Sequence, residues 1–232
     1  MMKTLKTVLC LMLCLSLLVF AGCGAADTAE AEGDGPVAYL SVSVAGELVM
    51  TRAAIAMEDV DGDGVVTLDE LLATAAAAEG VSYASEDSTY GLAITELWGD
   101  KSGSYGYFVN NDFVNSNLSS EVKEGDEAYV YSFADPTNWS DAYSFFDVST
   151  ATVKAGETLD LSLFMVGYDE TFSPVEASVA GAVITVDGEA TEFTTDANGK
   201  VSITLDAAGT YTVSATAEGL TLVPPVCVIT VE

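Results

Sequence analysis

The sequence predicts a mainly β protein in two parts, an α+β domain carrying one helix and then an all-β sandwich. Three observations carry this. Apolar and polar residues alternate with a period of two at Val183–Val186, Lys200–Leu205 and Thr210–Ala217. These runs are separated only by short turn signals, at Ala155-Gly156, Asp187-Gly188, Asn198-Gly199 and Ala208-Gly209. Helical spacing is clear in a single stretch, Leu68–Glu79.

From the N-terminus, Lys3 and Lys6 precede an apolar run from Val8 to Phe20. That run is shorter than the roughly 20 residues of a bilayer span and reads as an export signal covering residues 1–22. Phe20-Ala21-Gly22-Cys23 resembles the bacterial lipoprotein cleavage box, which implies lipid on Cys23 and anchoring at the extracytoplasmic face of the bacterial membrane. Residues 23–36 are small and acidic without apolar periodicity, as expected of a flexible tether. Cys10 and Cys14 leave with the signal, so Cys227 is the one free thiol of the mature chain. Its apolar, strand-like surroundings suggest a buried hydrophobe.

Pro36–Ala45 alternates and reads as a strand, followed by a turn at Gly46-Glu47. Leu48–Val60 is open to two readings. Its Ala, Met and Arg content favours helix, while its place after a turn favours a return strand, the reading adopted here. Asp59–Glu70 then reads DVDGDGVVTLDE, which meets the pattern D-x-[DN]-x-[DN]-G-x5-E in full. This is an EF-hand-type calcium loop. Asp59, Asp61 and Asp63 take places one, three and five, and Gly64 takes the sharp turn at six. Val65 offers a carbonyl at seven, Thr67 an oxygen or a held water at nine, and Glu70 a bidentate carboxylate at twelve. A bare Asp/Gly turn capping the next helix is the plainer alternative. In the helix, Leu68, Leu71, Leu72 and Ala75 share one face, and Gly80 ends it.

After a polar loop, strands are expected at Leu92–Trp98, Tyr105–Val109, Glu127–Phe133 and Ala142–Phe146. Residues 90–146 hold 13 of the 21 aromatic residues, enough for a core, a ligand platform or both. Tyr129, Tyr131 and Phe133 share one strand face. The candidate ligand-binding residues are Trp98, Tyr105, Tyr107, Asn110 and Trp139, the last on a loop where a large ring needs a reason. A domain boundary is expected at Asp147–Thr152, giving domains 37–147 and 148–232.

With 36 acidic and 7 basic residues the net charge is −29, and losing Lys3 and Lys6 takes it to −31. Such a chain repels nucleic acid. The chain has no histidine, which removes Ser-His-Asp and Cys-His catalysis and histidine-bound zinc. Carboxylates are too numerous to single out a glycosidase-type pair.

Tyr105-Gly106-Tyr107-Phe108-Val109-Asn110-Asn111, then Gly125-Asp126 and Tyr129-Val130-Tyr131, resemble the bacterial domain family similar to the C-terminal domain of transcobalamin. That family's usual Val-Asn-Gly is departed from at Asn111. The resemblance covers about residues 37–147 and implies a small β-grasp-like domain on a secreted or surface-attached protein. Animal relatives cap a corrinoid against a helical barrel, which this chain lacks. Residues 175–217, with Thr-Asp-Ala-Asn-Gly-Lys and Gly-Thr-Tyr-Thr-Val, resemble immunoglobulin-like surface modules. The expected function is a non-catalytic, calcium-binding, lipid-anchored extracellular protein that presents a surface to an unidentified ligand or surface protein. A small-molecule carrier, with corrinoid as named candidate, is the alternative, and a carbohydrate-acting enzyme the third class.

Overall fold

The computed structural model describes residues 35–112, 116–171 and 173–232. The export signal, Cys23 and all but the last two residues of the tether lie outside the described residues. The described chain is mainly strand with one helix, and none of it forms a helix long and apolar enough to cross a membrane.

β1 (Val37–Val44) and β2 (Glu47–Ala56) form an antiparallel hairpin, so the ambiguous segment is strand as far as Ala56. The turn is Ala45-Gly46, one residue earlier than expected, with φ of 50° and 87°. Two residues at positive φ give the twist that hairpin strands need. A bulge places Thr51 and Arg52 opposite Ser41, with Arg52 at φ 41°. The loop then leads from strand to helix, into α1 (Leu68–Glu79). Gly80 closes α1 at φ 68°, where a side chain would be strained, and Val81 N–H donates to Ala76 O at 3.0 Å.

The stretch expected as a polar loop holds β3 (Tyr83–Ser88), which forms a hairpin with β4 (Gly91–Leu97). β5 (Tyr105–Val109) and β6 (Glu127–Ser132) complete a sheet ordered β2-β1-β6-β5, with β1 and β6 parallel at its centre. Two hairpins with parallel inner strands and a helix across one face make the expected β-grasp-like arrangement. Leu68, Leu71, Leu72 and Ala75 of α1 bury against Ala38, Leu40, Val42, Ile94, Leu97, Ala128 and Val130.

The sandwich has two sheets. In one, β9 (Thr158–Tyr168) pairs with β7 (Asp141–Phe146), β10 (Pro174–Ser178) and β13 (Lys200–Thr204), and β15 (Thr221–Val223) pairs with β7. The other runs β12 (Glu189–Thr194), β11 (Val183–Val186), β14 (Gly209–Thr216), β16 (Cys227–Val231), β8 (Thr150–Val153). Leu161, Leu163, Ile184, Ile203, Val213 and Ile229 fill the space between them. Cys227 is fully buried, and that burial pushes its thiol up to about 12, as suits an inert core residue.

Just before the boundary expected at 147/148, β7 pairs with β9 and β15 of the sandwich. Asp147–Ser149 is the corner where the chain leaves one sheet of the sandwich for the other. Asp147 N–H donates to Ser162 O at 2.9 Å and Val228 N–H to Ser149 O at 2.9 Å.

Gly199 is constrained twice over. Its φ is +74°, and an added Cβ would lie 2.6 Å from Leu163 O and 3.2 Å from Val179 N. Gly188 has φ +83° with nothing within 4 Å. Gly188→Ala is expected to cost about 1–2 kcal/mol of backbone strain. Gly199→Ala should cost distinctly more, since backbone must also move. Equal shifts of the two variants in a denaturant titration would refute the close approach.

Candidate functional site

Two features of the structure carry chemistry, the Asp-rich loop before α1 and a groove where the β-grasp-like unit meets the sandwich.

The loop is organised by its own carboxylates. Asp59 Oδ1 accepts from Gly62 N–H (2.7 Å) and Oδ2 from Gly64 N–H (2.9 Å). Asp61 Oδ1 accepts from Asp63 N–H (3.0 Å), and Asp63 Oδ1 from Val65 N–H (2.8 Å). Asp59, Asp61 and Asp63 are exposed, and each brings one carboxylate oxygen within 4.8 Å of the others. Oxygens 2.3–2.6 Å from one calcium ion can be at most about 5 Å apart, so this separation and this all-oxygen donor set fit a single hard cation.

Thr67 and Glu70 are placed differently. Thr67 is the N-cap of α1 and Glu70 its third residue, and together they form a capping box. Glu70 N–H donates to Thr67 Oγ1 (3.3 Å), and Thr67 N–H to Glu70 Oε2 (2.9 Å). Glu70 Oε1 accepts from Val60 N–H (2.8 Å) and Asp61 N–H (3.3 Å). Glu70 therefore ties the loop's start to its end, without its carboxylate joining the close group of three aspartates. The Thr67 backbone N–H holds the Glu70 carboxyl below its usual value; slight burial opposes it, and Val60 and Asp61 assist. Val65 is half-buried, and neighbouring Val66 O accepts from Val122 N–H at 2.8 Å.

The five candidate ligand residues do not converge. Trp98, Tyr105 and Tyr107 pack against the helix-side core. Asn110 and Asn111, at φ 52° and 60°, form the two-residue turn after β5, where Asn tolerates a conformation otherwise favouring Gly. Asn110 Nδ2 donates to Asp126 Oδ1 (2.8 Å) and its Oδ1 accepts from Glu127 N–H (3.0 Å), so its side chain serves the turn. Trp139 lines a groove that Tyr105 also borders, although the Tyr105 hydroxyl donates to Asp100 O (2.9 Å).

That site is a groove of about 460 Å³, whose lining includes Tyr105, Tyr131, Phe133, Trp139, Asp141 and Tyr168. Its floor continues into an aromatic seam joining the two units. Phe108 stacks on Tyr143 at 3.6 Å and 7°, and Tyr129 meets Tyr143 edge-on at 5.6 Å. Tyr129 OH donates to Pro224 O (2.7 Å), and Tyr143 OH to Asn111 Oδ1 (2.8 Å). Sequence reasoning missed Tyr131, Asp141 and Tyr168 as groove residues. Gly106 was the available signal. Glycine inside a strand marks a close approach, and here a Cβ would lie 2.2 Å from the Tyr131 ring.

Trp139 is held in the open. It is 69% exposed and has φ 52°. Its Nε1–H donates to Ser104 Oγ (3.2 Å) and its backbone N–H to Asp135 O (2.9 Å). The Asp135 carboxylate organises the loop by accepting from Asn138 Nδ2, Ser140 Oγ and Asn138 N–H, which together hold it below its usual value.

No protein-family model and no curated protein matches the chain. Solved structures of immunoglobulin-domain proteins show similarity. The N-terminal four Ig domains of Dscam1 isoform 9.44 are 12% identical with a TM-score of 0.25, covering 64% of this chain and 32% of that one. Those of isoform 6.9 are 11% identical with a TM-score of 0.26, covering 87% of this chain and 47% of that one. The chain thus spans less than half the length of either.

Packing and display can be separated by truncation. Phe108→Ala is expected to cost about 3–5 kcal/mol, because its ring is buried in the seam. Trp139→Ala should cost less than about 1 kcal/mol. A Trp139 variant as unstable as the Phe108 variant in urea would make Trp139 a structural residue.

Proposed function

We propose that this chain is a non-catalytic, calcium-binding extracellular protein, anchored to the bacterial cell membrane by lipid on Cys23, that presents a binding surface to a ligand or surface protein. The convergence of Asp59, Asp61 and Asp63 within one ion's reach is the observation that carries the calcium reading. Those carboxylates, the Val65 carbonyl, Thr67 directly or through water, and Glu70 would hold the ion. Bound calcium would supply positive charge that relieves repulsion among the loop carboxylates. The chain's own part is to fix the oxygens, through the loop N–H groups and the capping box. Since the loop joins β2 to α1, holding it stabilises the seat of the helix on its sheet.

A second reading, a small-molecule carrier with corrinoid as named candidate, has the aromatic groove in its favour. A carrier needs a concave, ring-lined site.

Titration calorimetry on the mature chain should show one calcium site, with affinity in the 10⁻⁴–10⁻³ M range found for extracellular modules. At free calcium about 100-fold above the dissociation constant, stability should rise by about 2.7 kcal/mol, and Asp61→Ala should abolish that rise. No binding at millimolar calcium, or an unchanged melting temperature, would overturn the calcium reading.

Cys23→Ala should release the protein to the medium or stall its processing. Normal signal removal with full membrane retention would refute lipid anchoring.

A further inference from the structure

We propose that the groove between the two units is a binding site for a small hydroxylated alkylammonium ion, a choline-like cation. This deepens the ligand-surface reading above and rests on it. Four independent features of the site lead to that chemistry.

The walls are aromatic and open. Trp139 and Tyr168 are 69% and 55% exposed, and Phe133 is half-buried beside them. The loop bearing Trp139 is bonded internally and to Ser104 while Trp139 keeps a positive φ, so the exposed ring is held in place rather than left over.

The base carries a polar group. Tyr131 is 5% exposed, and its side chain lines the groove. Its hydroxyl lies within electrostatic reach of Asp141 and Tyr168, which also line the groove. A phenolic hydroxyl at the base can both donate to and accept from a bound ligand. Gly106 leaves the space that the Tyr131 ring occupies.

The sign of the charge is fixed. Asp141 lines the groove, its carboxylate held by Ala134 N–H (2.7 Å) and Asp135 N–H (2.9 Å). Among the described residues no Lys or Arg lines it, and the chain carries a net charge of −29. An anion is therefore disfavoured, whereas a cation gains from both the carboxylate and the negative faces of the rings. The volume, about 460 Å³, suits a small organic ligand. A quaternary ammonium leaves its charge among the rings without needing N–H acceptors, and an adjoining hydroxyl meets Tyr131 OH.

The test is calorimetric titration of the full mature chain with choline and with its neutral carbon isostere, 3,3-dimethylbutan-1-ol. Choline should bind at millimolar concentration or below, and at least tenfold more tightly than the isostere. Trp139→Ala, checked for an unchanged unfolding midpoint, should weaken choline at least tenfold, and Tyr131→Phe should weaken it with the rings intact. No heat of binding up to 100 mM choline overturns the proposal. Equal binding of the isostere overturns the cation assignment while leaving the groove as a ligand surface. Choline binding indifferent to Trp139→Ala puts the site elsewhere and overturns it too. Calcium titration of the same variants reads the loop separately, so failure of one site is not mistaken for failure of the other.

Discussion

The structure depends on one strand having no solvent face. β6 sends Ala128 and Val130 into the core under α1, and Tyr129 and Tyr131 to the opposite side. A sheet with a helix on one face would normally leave its other face to water. Here that face is covered by β7 and the segment around Val223, through Phe108, Tyr129, Tyr131, Tyr143 and Val223. The β-grasp-like unit therefore exposes a large aromatic surface without the sandwich, and the two units share a seam rather than a linker. Polar groups on the same side are also answered across it. Ser149 Oγ donates to Glu127 Oε1 (3.0 Å). Arg52, the chain's single arginine, donates to that same Glu127 oxygen from Nε (3.0 Å) and Nη2 (2.6 Å), with its guanidinium 3.7 Å above the Tyr39 ring. The bulge that gives Arg52 its positive φ aims it at this junction.

The loop before α1 shows how one short sequence serves two structural needs. Counting from Asp59, place nine is Thr67 and place twelve is Glu70. A capping box needs the same spacing, an N-cap and the third residue after it. The two demands coincide because the loop runs directly into the helix. Glu70 adds a third task by accepting from Val60 and Asp61, which folds the loop's first residues back over its last. The arrangement gathers three exposed carboxylates in a chain already strongly negative. Self-repulsion of that kind is what a divalent ion relieves most effectively.

What the sequence revealed was decided by the range over which each signal acts. The helix was legible to its end residues, because the cap at Thr67 and the stop at Gly80 are local. The side-chain faces were legible too, since alternation alone puts Tyr129, Tyr131 and Phe133 together. What covers those faces was not, because Tyr143, Val223 and Pro224 come from distant chain segments and no local pattern announces the pairing. β3 was read as loop because YASEDS has no apolar alternation and owes its strand conformation to β4. Asp147–Thr152 was read as a boundary because short strands with turn signals follow it, and no local pattern could show that β7, before it, pairs with β9 and β15. Among the candidate ligand residues, composition singled out rings but could not say which way they faced.

The groove follows from the seam. Two units packed through flat rings leave a gap where the rings run out, at the ends of β5 and β7 and the Trp139 loop. In most junctions such a gap closes with side chains from either side. Gly106 prevents that here by presenting no side chain, and the Tyr131 ring fills its place. A leucine or valine at position 106 would displace that ring and alter the base of the groove, yet the strand would pair equally well with β6. The features that keep the groove open are thus separable from those that make the fold.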